Sequence, residues 1–339
     1  MKKKLLIIFL VIIAVGCYIG WVLFGPTVSA PADKYFYIRT GATYTDVKTA
    51  LKEQGIISGT FFFDKISKQV KYDKNIKAGK YEIKNGMNLV NLVRMLKAGR
   101  QSPVRFVINK IRTKEDLAGK IGQQFEVDSA EVIGFITNND SLAKYHIDSN
   151  TVMTIIIPNS YLFWWNSSLK NIITRLADQK AKFWDGKRSE KAAALNLTPD
   201  QVYTMASIVE EETNKPEDKG LIASVYMNRI NKGMKLEADP TVKYAMRDFG
   251  LKRILHGHLQ YPSIYNTYQH TGLPPGPIAT PSINTIDAVL DAPKTDYIFF
   301  VAKPDFNGYS NFASTYEQHL QYAKAYQRAL DSLIISRNK

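Results

Sequence analysis

The chain has 339 residues, 45% of them hydrophobic and 22% charged, and 45 lysines and arginines against 31 aspartates and glutamates give it a formal net charge of +14. This composition is that of ordinary globular domains, and the length is enough for two or three of them. Because Cys17 is the only cysteine, intramolecular disulfides and metal sites built from cysteines are excluded.

An uncharged apolar segment lies near the N-terminus. Residues 5–24 have about the length that a helix needs to cross the hydrocarbon core of a bilayer. The lysines at positions 2–4 predict that residues 1–4 are cytoplasmic and that everything after Gly25 lies outside the cytoplasm. The run is long for a cleaved signal peptide and ends without a clean cleavage site, so we expect an uncleaved, single-pass anchor in the cytoplasmic (inner) membrane. A lipoprotein signal ending at Cys17 is the alternative, although the apolar run continues beyond it.

Outside the cytoplasm, nucleic acid is not expected as a partner. No block of basic residues dominates the rest of the chain. The positive charge therefore favours anionic lipid headgroups or an anionic wall polymer, and a solvated basic surface is the other interpretation.

After a linker at residues 25–34, the first block has the pattern of a small α+β module that extends over residues 35–102. Its apolar residues alternate in two short segments and recur at helical spacing elsewhere. The predicted elements are strands at residues 35–39 and 78–84, a helix capped by Thr43, a helix opened by Ser58, and a helix over residues 87–96.

The second block, residues 103–194, is predicted as a connecting α+β region. Its expected elements are a strand at residues 104–108, helices capped by Thr113 and Asp128, and an apolar strand at residues 153–157. An aromatic cluster follows Pro158 and consists of Tyr161, Phe163, Trp164 and Trp165. These rings could stack on sugar faces, pack in a core or form a membrane-facing rim.

The third block, residues 195–339, opens with a helix that carries a carboxylate on its apolar face. Thr198 and Gln201 have capping-box spacing, and Pro199 fits the first helical position. At about 100° per residue one apolar stripe forms, which consists of Val202, Met205, Ala206, Ile208 and Val209.

Glu212 falls within that stripe, whereas Glu210 lies at its edge and Glu211 points almost opposite. Burial of a glutamate raises its pKa, which suits a general acid that works near neutral pH. Glu212 is therefore the catalytic candidate. In the alternative interpretation the helix frays at Thr213, and Glu212 lies in water or pairs with a lysine.

Further elements follow in the same block. We expect a helix over residues 216–232, and Asp239 before Pro240 is interpreted as the cap of a third helix rather than as a catalytic group. Residues 261–282 contain five prolines and predict a stiff loop. The remaining predictions are a helix from Ser282 to about Asp291, a strand at residues 297–302, and a last helix opened by a capping box of Ser314 and Glu317.

Several segments carry a resemblance to a known family. They are ASIVEEET at 206–213, VYMNRINKGMKLEADPTVKYAM at 225–246, YNTYQHTGLPPGPIATPS at 265–282 and TDYIFFVA at 295–302. Together they resemble the endolytic murein transglycosylases of the MltG/YceG type. IKAGKYEIKNGMNLVNLVRMLKAGR at 76–100 is similar to the LysM-like module of that family. The resemblance implies an α+β protein with one transmembrane helix, a LysM-like module, and a mainly helical, lysozyme-like catalytic domain with a small β element.

The family motif has two glutamates separated by one residue and followed by a small hydroxyl residue, with the second glutamate catalytic. The resemblance thus assigns catalysis to Glu212, places Glu210 in the first position, and puts Glu211 where lysine is common. Three positions depart from the family pattern: Asn159 replaces an aspartate, Ser310 a histidine, and Asn109-Lys110 a Glu-Gly pair.

The activity that the resemblance implies needs no cofactor and no metal. It is cleavage of the MurNAc–GlcNAc bond of peptidoglycan with formation of a 1,6-anhydro end, which terminates or trims nascent strands beside wall polymerases. Tyr265, Asn266 and Tyr268 are candidates for positioning the substrate, although they could instead bond within the loop. Glu210 and Asp239 are the other candidate substrate contacts.

Three other function classes are consistent with parts of the sequence. One is a non-catalytic, peptidoglycan-binding scaffold, and another is a hydrolytic muramidase. The third is a metallohydrolase, although the sequence has no HExxH motif. Its metal ligands would come from His256, His258, His270 and His319.

Overall fold

The computed structural model describes residues 2 to 337 and shows a helix-rich α+β chain with small sheets. Helix α1, Lys2–Phe24, is long and apolar enough to cross a membrane, by length and composition, and none of its residues is buried against the rest of the chain. The prediction of an N-terminal apolar helix is therefore confirmed.

The chain divides into two compact units. The first comprises Met1–Phe106, Gly122–Asp128 and Leu162–Ser168, and the second comprises Val107–Ile121, Ser129–Tyr161 and Leu169–Lys339. The first unit begins with α1 and continues with β1 (Tyr35–Ile38), α2 (Tyr44–Glu53), α3 (Phe61–Gln69), β2 (Gly79–Glu82) and α4 (Leu89–Ala98).

Strands β1 and β2 of the first unit pair antiparallel, with Phe36 opposite Tyr81. Both of these side chains are fully buried in the core of the unit. Thr43 caps α2 as predicted, because its side chain accepts from the backbone N–H of Asp46 and the Asp46 carboxylate accepts from the backbone N–H of Thr43.

The helix expected from Ser58 begins later, at Phe61. Gly59 would have occupied its first turn, and glycine costs more backbone entropy in a helix than other residues. The start at Phe61 still buries Phe63 completely.

The middle of the chain contributes short helices and one further sheet. Its elements are β3 (Val104–Ile108), α5 (Lys114–Gln124), α6 (Ser129–Thr137), α7 (Asn139–Leu142), β4 (Asn159–Phe163), α8 (Leu169–Phe183) and α9 (Lys187–Ala194). Strands β3 and β4 pair with each other. Thr113 caps α5 as predicted, because its hydroxyl accepts from the Asp116 N–H at 2.9 Å. Helix α6 begins directly after Asp128.

The prediction of a strand at residues 153–157 is wrong. Val152–Ile155 forms a 3₁₀-helix, and the strand comes later as β4. Residues 152–157 are all buried, and a short apolar run that is buried throughout has no period that separates a strand from a helix.

The aromatic cluster after Pro158 does not act as one surface. Tyr161 and Phe163 are buried, which favours the core-packing interpretation for these two rings. Trp164 is 52% exposed, and the Trp165 ring lies 5.0 Å from that of Tyr37. The cluster thus supplies both core residues and two indoles that are open to solvent.

The C-terminal part of the second unit is mostly helical. Its elements are α10 (Pro199–Glu212), α11 (Pro216–Asn231), α12 (Asp239–Met246), α13 (Ile283–Leu290), β5 (Phe299–Ala302), β6 (Ser310–Ala313) and α14 (Tyr316–Arg337), with a 3₁₀-helix at His256–Gln260. Helix α10 packs against α11, α12 and α13, and β5 pairs antiparallel with β6.

The cap of the last helix lies one residue later than expected. The Thr315 hydroxyl accepts from the Gln318 N–H at 3.2 Å, and the Gln318 side chain accepts from the Ser314 N–H at 3.3 Å. The cap is therefore Thr315 rather than Ser314, and the Gln318 side chain bonds to the residue before the cap. The expected pair of Ser314 and Glu317 has the same spacing as Thr315 and Gln318, so spacing alone could not choose between them.

Candidate active site

Helix α10 carries the candidate acid at its C-terminal end. The helix begins with the predicted capping box of Thr198 and Gln201 and ends at Glu212, after which Thr213 is extended. All five residues of the predicted apolar stripe are buried, as expected. The predicted stripe includes too few residues, however, because Tyr203, Thr204 and Ser207 between its members are buried as well.

The three fully buried polar residues of α10, Tyr203, Thr204 and Ser207, all have hydrogen-bond partners. The Tyr203 hydroxyl donates to the Ile156 carbonyl at 2.5 Å, and Ser207 donates to the Thr204 carbonyl and accepts from the Ile278 N–H. Because buried polar groups are costly when unpaired, these bonds allow residues 202–209 of the helix to be enclosed on all sides. The enclosure holds the end of the helix, and with it Glu212, in a defined place.

The Glu210 carboxylate is engaged inside the fold. Its Oε2 accepts from Lys219 and from Ser282, both at 3.0 Å, and from the Thr285 hydroxyl. Burial alone raises the pKa of Glu210, but the hydrogen bonds from Thr285 and Lys219 outweigh it and hold that pKa below its ordinary value. Glu210 therefore stays ionised at neutral pH and links α10 to α11 and α13.

Glu211 points elsewhere, as its helical angle predicts. Its carboxylate lies 2.6 Å from the Lys110 ammonium and 3.1 Å from the Arg112 guanidinium. Both cations come from the segment between β3 and α5. Glu210 and Glu211 thus each form an ion pair with a lysine or arginine, whereas Glu212 forms none of these ion pairs.

Glu212 keeps part of its surface open to solvent, yet its carboxyl is largely desolvated by the surrounding protein. This desolvation is the main cause that raises the pKa of Glu212 to about 7, and the Asp239 charge acts in the same direction. The Tyr226 hydroxyl and the Lys243 charge oppose the rise. The carboxyl does not fray into water, because its Oε1 accepts a 2.7 Å hydrogen bond from Tyr226.

Tyr226 is a site residue that sequence reasoning missed. It lies on α11, is only 1% exposed, and packs edge-on against Phe300 with ring centroids 6.0 Å apart. Burial, followed by the nearby Glu212 charge, raises its pKa, so the phenol keeps its proton. A buried tyrosine needs a hydrogen-bond partner, but no local pattern shows that the partner lies on the preceding helix.

Asp239 belongs to the same electrostatic neighbourhood, and its predicted capping role is wrong. Asp239 is the first residue of α12, and its Oδ1 accepts from the Tyr268 hydroxyl at 2.7 Å. The chain before the helix is held instead by Thr267, whose hydroxyl accepts from the Ala238 N–H at 3.0 Å. A tertiary contact from the proline-rich loop thus replaces the local cap.

The proline-rich loop is irregular, as predicted, and its candidate residues have different surroundings. Asn266 is fully buried, and its amide donates to the carbonyls of Leu259 and Tyr261 at 3.0 and 2.8 Å. Its amide hydrogen bonds therefore go to the 3₁₀-helix just before the loop and to the first residue of the loop. The Tyr265 ring packs 4.8 Å from that of Tyr244 on α12. Tyr268 is the one of the three candidates that reaches Asp239.

Gly276 sets the position of the far end of this loop. A Cβ at this residue would lie 2.1 Å from the carbonyl oxygen of Asn150, so only glycine permits the observed approach of the two backbones. The loop end is also bonded at Thr280, whose N–H donates to the Ile111 carbonyl at 2.8 Å. The loop is therefore held by segments that precede it by more than a hundred residues.

Comparison with known proteins identifies the family. The model of the YceG-like family matches residues 36–325, which is most of the chain. The chain belongs to the YceG-like family.

Named relatives of this YceG-like protein match most of its length. It is 28% identical over 329 residues to an endolytic murein transglycosylase of Bacillus subtilis strain 168, covering 91% of this chain and 90% of that protein. It is 27% identical over 350 residues to an endolytic murein transglycosylase of Streptococcus pneumoniae strain D39, covering 92% of this chain but only 63% of the longer pneumococcal protein. A crystal structure of a YceG-like protein from Listeria monocytogenes is similar with a TM-score of 0.56 and 28% identity, covering 85% of this chain and 98% of that one.

The positions where this YceG-like protein departs from the expected family pattern make contacts away from Glu212. Lys110 pairs with Glu211, and the Asn109 carbonyl accepts from the Thr280 hydroxyl at 2.9 Å. The backbone N–H of Ser310 donates to the buried Asp218 carboxylate at 2.7 Å. Asn159 bonds locally, to the Ser160 N–H. None of these hydrogen bonds and ion pairs involves the Glu212 carboxyl.

The histidines considered as metal ligands have different surroundings in this YceG-like protein. Within residues 2 to 337, no group of three or more His, Cys, Asp or Glu side chains is arranged to hold a metal ion. His319 instead stacks on Phe299 with ring centroids 5.0 Å apart. The four histidines are therefore not brought together as a ligand set.

Proposed function

We propose that this chain is a membrane-anchored, endolytic lytic transglycosylase that cleaves the β-1,4 bond between MurNAc and GlcNAc in peptidoglycan and leaves a 1,6-anhydroMurNAc end. Such an enzyme is a carbon–oxygen lyase acting on a polysaccharide. The observation that carries the proposal is the carboxyl of Glu212, with a pKa of about 7 and a hydrogen bond from the buried Tyr226. The names of the B. subtilis and S. pneumoniae relatives support the choice of substrate.

In the first step Glu212 acts as a general acid. At pH 7 about half of the molecules carry the proton, because the pKa is about 7. Tyr226 engages Oε1, which leaves Oε2 to donate to the glycosidic oxygen. The bond between that oxygen and the muramyl C1 breaks, the GlcNAc 4-hydroxyl departs with the proton, and positive charge develops at C1.

In the second step the same group acts as a base. The Glu212 carboxylate takes the proton of the muramyl C6 hydroxyl as O6 attacks C1 and closes the anhydro ring. Glu212 is then protonated again and no water is consumed. The Tyr226 hydroxyl stabilises the carboxylate between the two steps, because a hydrogen bond to the charged form favours it.

We propose different roles for the other candidate residues. Tyr268 and Asp239 are proposed to contact the sugar, with the Asp239 carboxylate facing the positive charge that develops at C1. Tyr265 is proposed to border the substrate, since its ring is partly exposed beside Tyr244. Asn266 and Glu210 are proposed to support the site through their internal hydrogen bonds.

The domain organisation and location belong to the same proposal. Helix α1 would span the cytoplasmic membrane with residues 1–4 inside the cell. Residues 35–102 would form a LysM-like module, residues 103–194 a connecting region, and residues 195–339 would carry the lysozyme-like catalytic machinery. The enzyme would trim or terminate nascent strands beside wall polymerases, and crosslinking in cells followed by purification should recover such a polymerase.

Product analysis tests the reaction. Purified peptidoglycan is incubated with the detergent-solubilised chain, and mass spectrometry determines the new ends. We expect anhydromuramyl ends from the native chain and from Glu217→Gln, a control at an exposed glutamate of α11, and none from Glu212→Gln. Reducing ends would identify a hydrolytic muramidase. Wall binding without any cleavage by the native chain would identify a non-catalytic scaffold.

A further inference from the structure

Helix α1 is joined to the rest of the first unit by hydrogen bonds rather than by a free linker. At its C-terminal end the Thr27 hydroxyl donates to the Val22 carbonyl at 3.0 Å. One residue later the Val28 N–H donates to the Met87 carbonyl at 3.0 Å, and the Val28 carbonyl accepts from the Gly86 N–H at 3.2 Å. Helix α1 also contacts α4. The end of the apolar helix is therefore held against the segment that leads into α4.

An open groove of about 540 Å³ lies beside this junction. Met87 lines it, and so do Asn91 and Met95 of α4, the helix that α1 contacts. The volume lies within the range of about 300–1,000 Å³ that is typical of ligand sites. All of the lining residues belong to the first unit, whereas Glu212 belongs to the second. In a chain that α1 anchors, this groove lies next to the membrane surface.

Three cations line the groove, namely Lys84, Arg94 and Arg100, and all three residues are exposed. None of them forms an ion pair with the residues that the structure describes. Glu82 is the one carboxylate in the lining, so the groove carries a net positive charge. Guanidinium and ammonium groups bind phosphate oxygens through charge-assisted hydrogen bonds. The charge of the groove therefore predicts an anionic ligand.

Helix α4 and its C-terminal cap fix the positions of two of these cations. Asn91, Arg94 and Met95 are spaced i, i+3 and i+4 along α4, so they lie on one face of that helix. The helix ends at Gly99, whose φ of 67° is left-handed, and the Arg100 N–H donates to the Met95 carbonyl at 3.2 Å. Both arginines line the groove, so the turn at Gly99 brings Arg100 to the face that carries Arg94. The backbone that carries these cations is thus fixed before any ligand binds.

We propose that this groove binds the headgroup of an anionic phospholipid in the membrane that α1 crosses. The lipid phosphate accepts hydrogen bonds from Lys84, Arg94 and Arg100. Its glycerol and first methylene groups rest against Met87 and Met95, because the flexible and polarisable methionine side chain adapts to irregular apolar surfaces. The proposal rests on the membrane location in the proposed function.

Two observations favour a lipid over a phosphate polymer of the wall. The groove adjoins a helix that is long and apolar enough to cross a bilayer, so headgroups lie close to it without any further partner. Its lining also includes two methionines, which a polymer of phosphate and polyol would not use. Basic residues beside an anionic leaflet are attracted to it individually. A bound headgroup would therefore hold the first unit against the membrane surface.

Lipid binding is measured on the full chain in a neutral detergent, where it requires neither cleavage nor a bilayer. The chain is incubated with equal concentrations of phosphatidylglycerol, which is anionic, and phosphatidylcholine, which has no net charge. Native mass spectrometry then counts the molecules of each lipid that stay bound. We expect the native chain to retain phosphatidylglycerol in preference. Arg94→Gln and Arg100→Gln should each weaken this binding about fivefold.

Another cation of α4 provides a matched control. Lys97 is exposed and does not line the groove, so Lys97→Gln removes the same charge and should bind lipid like the native chain. Arg94→Lys keeps the charge and should retain most of the binding, which separates loss of charge from loss of folding. Thermal unfolding of these variants should match that of the native chain, because the substituted side chains are exposed.

Three results would overturn the site. One is equal retention of the two lipids by the native chain. Another is a loss of binding that is no larger for Arg94→Gln and Arg100→Gln than for Lys97→Gln, which would indicate attraction to the overall charge only. The third is displacement of the lipid by an equal concentration of inorganic phosphate or of a soluble glycerol-phosphate polymer, which would identify a site for one of those ligands instead.

A separate measurement tests the membrane location. Extraction of cell membranes with alkaline carbonate should leave the native chain in the membrane pellet. Its release would count against the proposed anchor, whereas the detergent assay would still report on the groove. Absence of peptidoglycan cleavage would likewise count against the proposed reaction and not against lipid binding.

Discussion

The phenol hydroxyl of Tyr226 donates a 2.7 Å hydrogen bond to Glu212 Oε1, and the two residues lie on neighbouring helices. Tyr226 is fully enclosed, whereas Glu212 is partly open. One oxygen of the carboxyl is therefore engaged by the protein. A substrate can approach the other.

Removing this hydroxyl should both slow the reaction and change its pH dependence. The bond favours the charged form of Glu212, so Tyr226→Phe should raise the pKa of Glu212 above about 7. A hydrogen bond to a charged group contributes about 1.5–3 kcal/mol, so kcat should fall about 10- to 100-fold. Tyr203→Phe, which also removes one buried hydroxyl, is the control and should leave the pH profile unchanged. An identical pH profile for Tyr226→Phe would contradict the role of this bond.

The native chain should lose activity as the pH rises through the pKa of Glu212. The first step needs the protonated acid, and its pKa is raised to about 7 by desolvation above all. We expect kcat/KM to fall tenfold per pH unit above about pH 8. The measurement is release of soluble fragments from peptidoglycan between about pH 5 and 9. Activity that stayed flat to pH 9 would show that another group donates the proton.

Glu212→Gln should stabilise the fold at alkaline pH. The folded state raises the pKa of this carboxyl from 4.5 to about 7, so ionisation on going from about pH 4.5 to 7 costs the folded state as much as about 3 kcal/mol. The glutamine variant avoids this cost. Its free energy of unfolding should exceed that of the native chain at about pH 8 and match it more closely at about pH 4. Equal differences at the two pH values would argue against a raised pKa.

Asp239→Asn should lower the pKa of Glu212. The Asp239 charge raises that pKa, so its removal favours the ionised carboxyl. The alkaline limb of the pH–rate profile should then move to lower pH. Asp248→Asn, at an exposed aspartate just after α12, removes one charge without this effect and is the control. A limb that moved equally in both variants would indicate a change in overall charge only.

Glu210→Gln should destabilise the fold far more than the loss of a surface ion pair. Glu210 accepts from Lys219, Ser282 and Thr285, and the variant leaves the Lys219 ammonium without its counter-charge, at a cost of about 3 kcal/mol. Asp291→Asn breaks an exposed pair with Lys191 and should cost less than about 1 kcal/mol.

The destabilisation by Glu210→Gln should also depend on pH. The folded state holds the pKa of Glu210 below its ordinary value of 4.5, so this carboxylate contributes stability above that value and loses the contribution as the pH falls through its folded pKa. Urea unfolding at about pH 7 and pH 3 measures both effects. Similar losses for Glu210→Gln and Asp291→Asn at pH 7 would contradict the internal role of Glu210.

Local signals in the sequence were sufficient to predict structure where the interacting residues lie within a few positions of each other. The cap at Thr43 and the capping box of Thr198 depend on contacts three residues apart, and both form as predicted. The burial of the α10 stripe followed from helical angle in the same way. Such features are determined by the backbone geometry of one helix, so the fold has little scope to change them.

Local sequence signals gave wrong or incomplete predictions where tertiary contacts determine the structure. Asp239 has the sequence context of a helix cap. In the structure the Thr267 hydroxyl accepts from the Ala238 N–H before α12, and the Tyr268 hydroxyl donates to the Asp239 carboxylate. The run at residues 153–157 has no period because it is buried on all sides. Tyr226 could not be paired with Glu212, since nothing in either segment fixes how α10 and α11 pack.

The close approach of Gly276 to Asn150 bears on how the catalytic part of the protein can be truncated. A fragment that begins at residue 195 would contain Glu212, Tyr226 and Asp239, yet it would lack the backbone against which the proline-rich loop rests. It would also lack the Ile156 carbonyl that receives the Tyr203 hydroxyl and the two cations that neutralise Glu211. A fragment that preserves these contacts therefore has to begin no later than Val107, the first residue of the second unit, well upstream of Glu212 and of Tyr268 and Asp239.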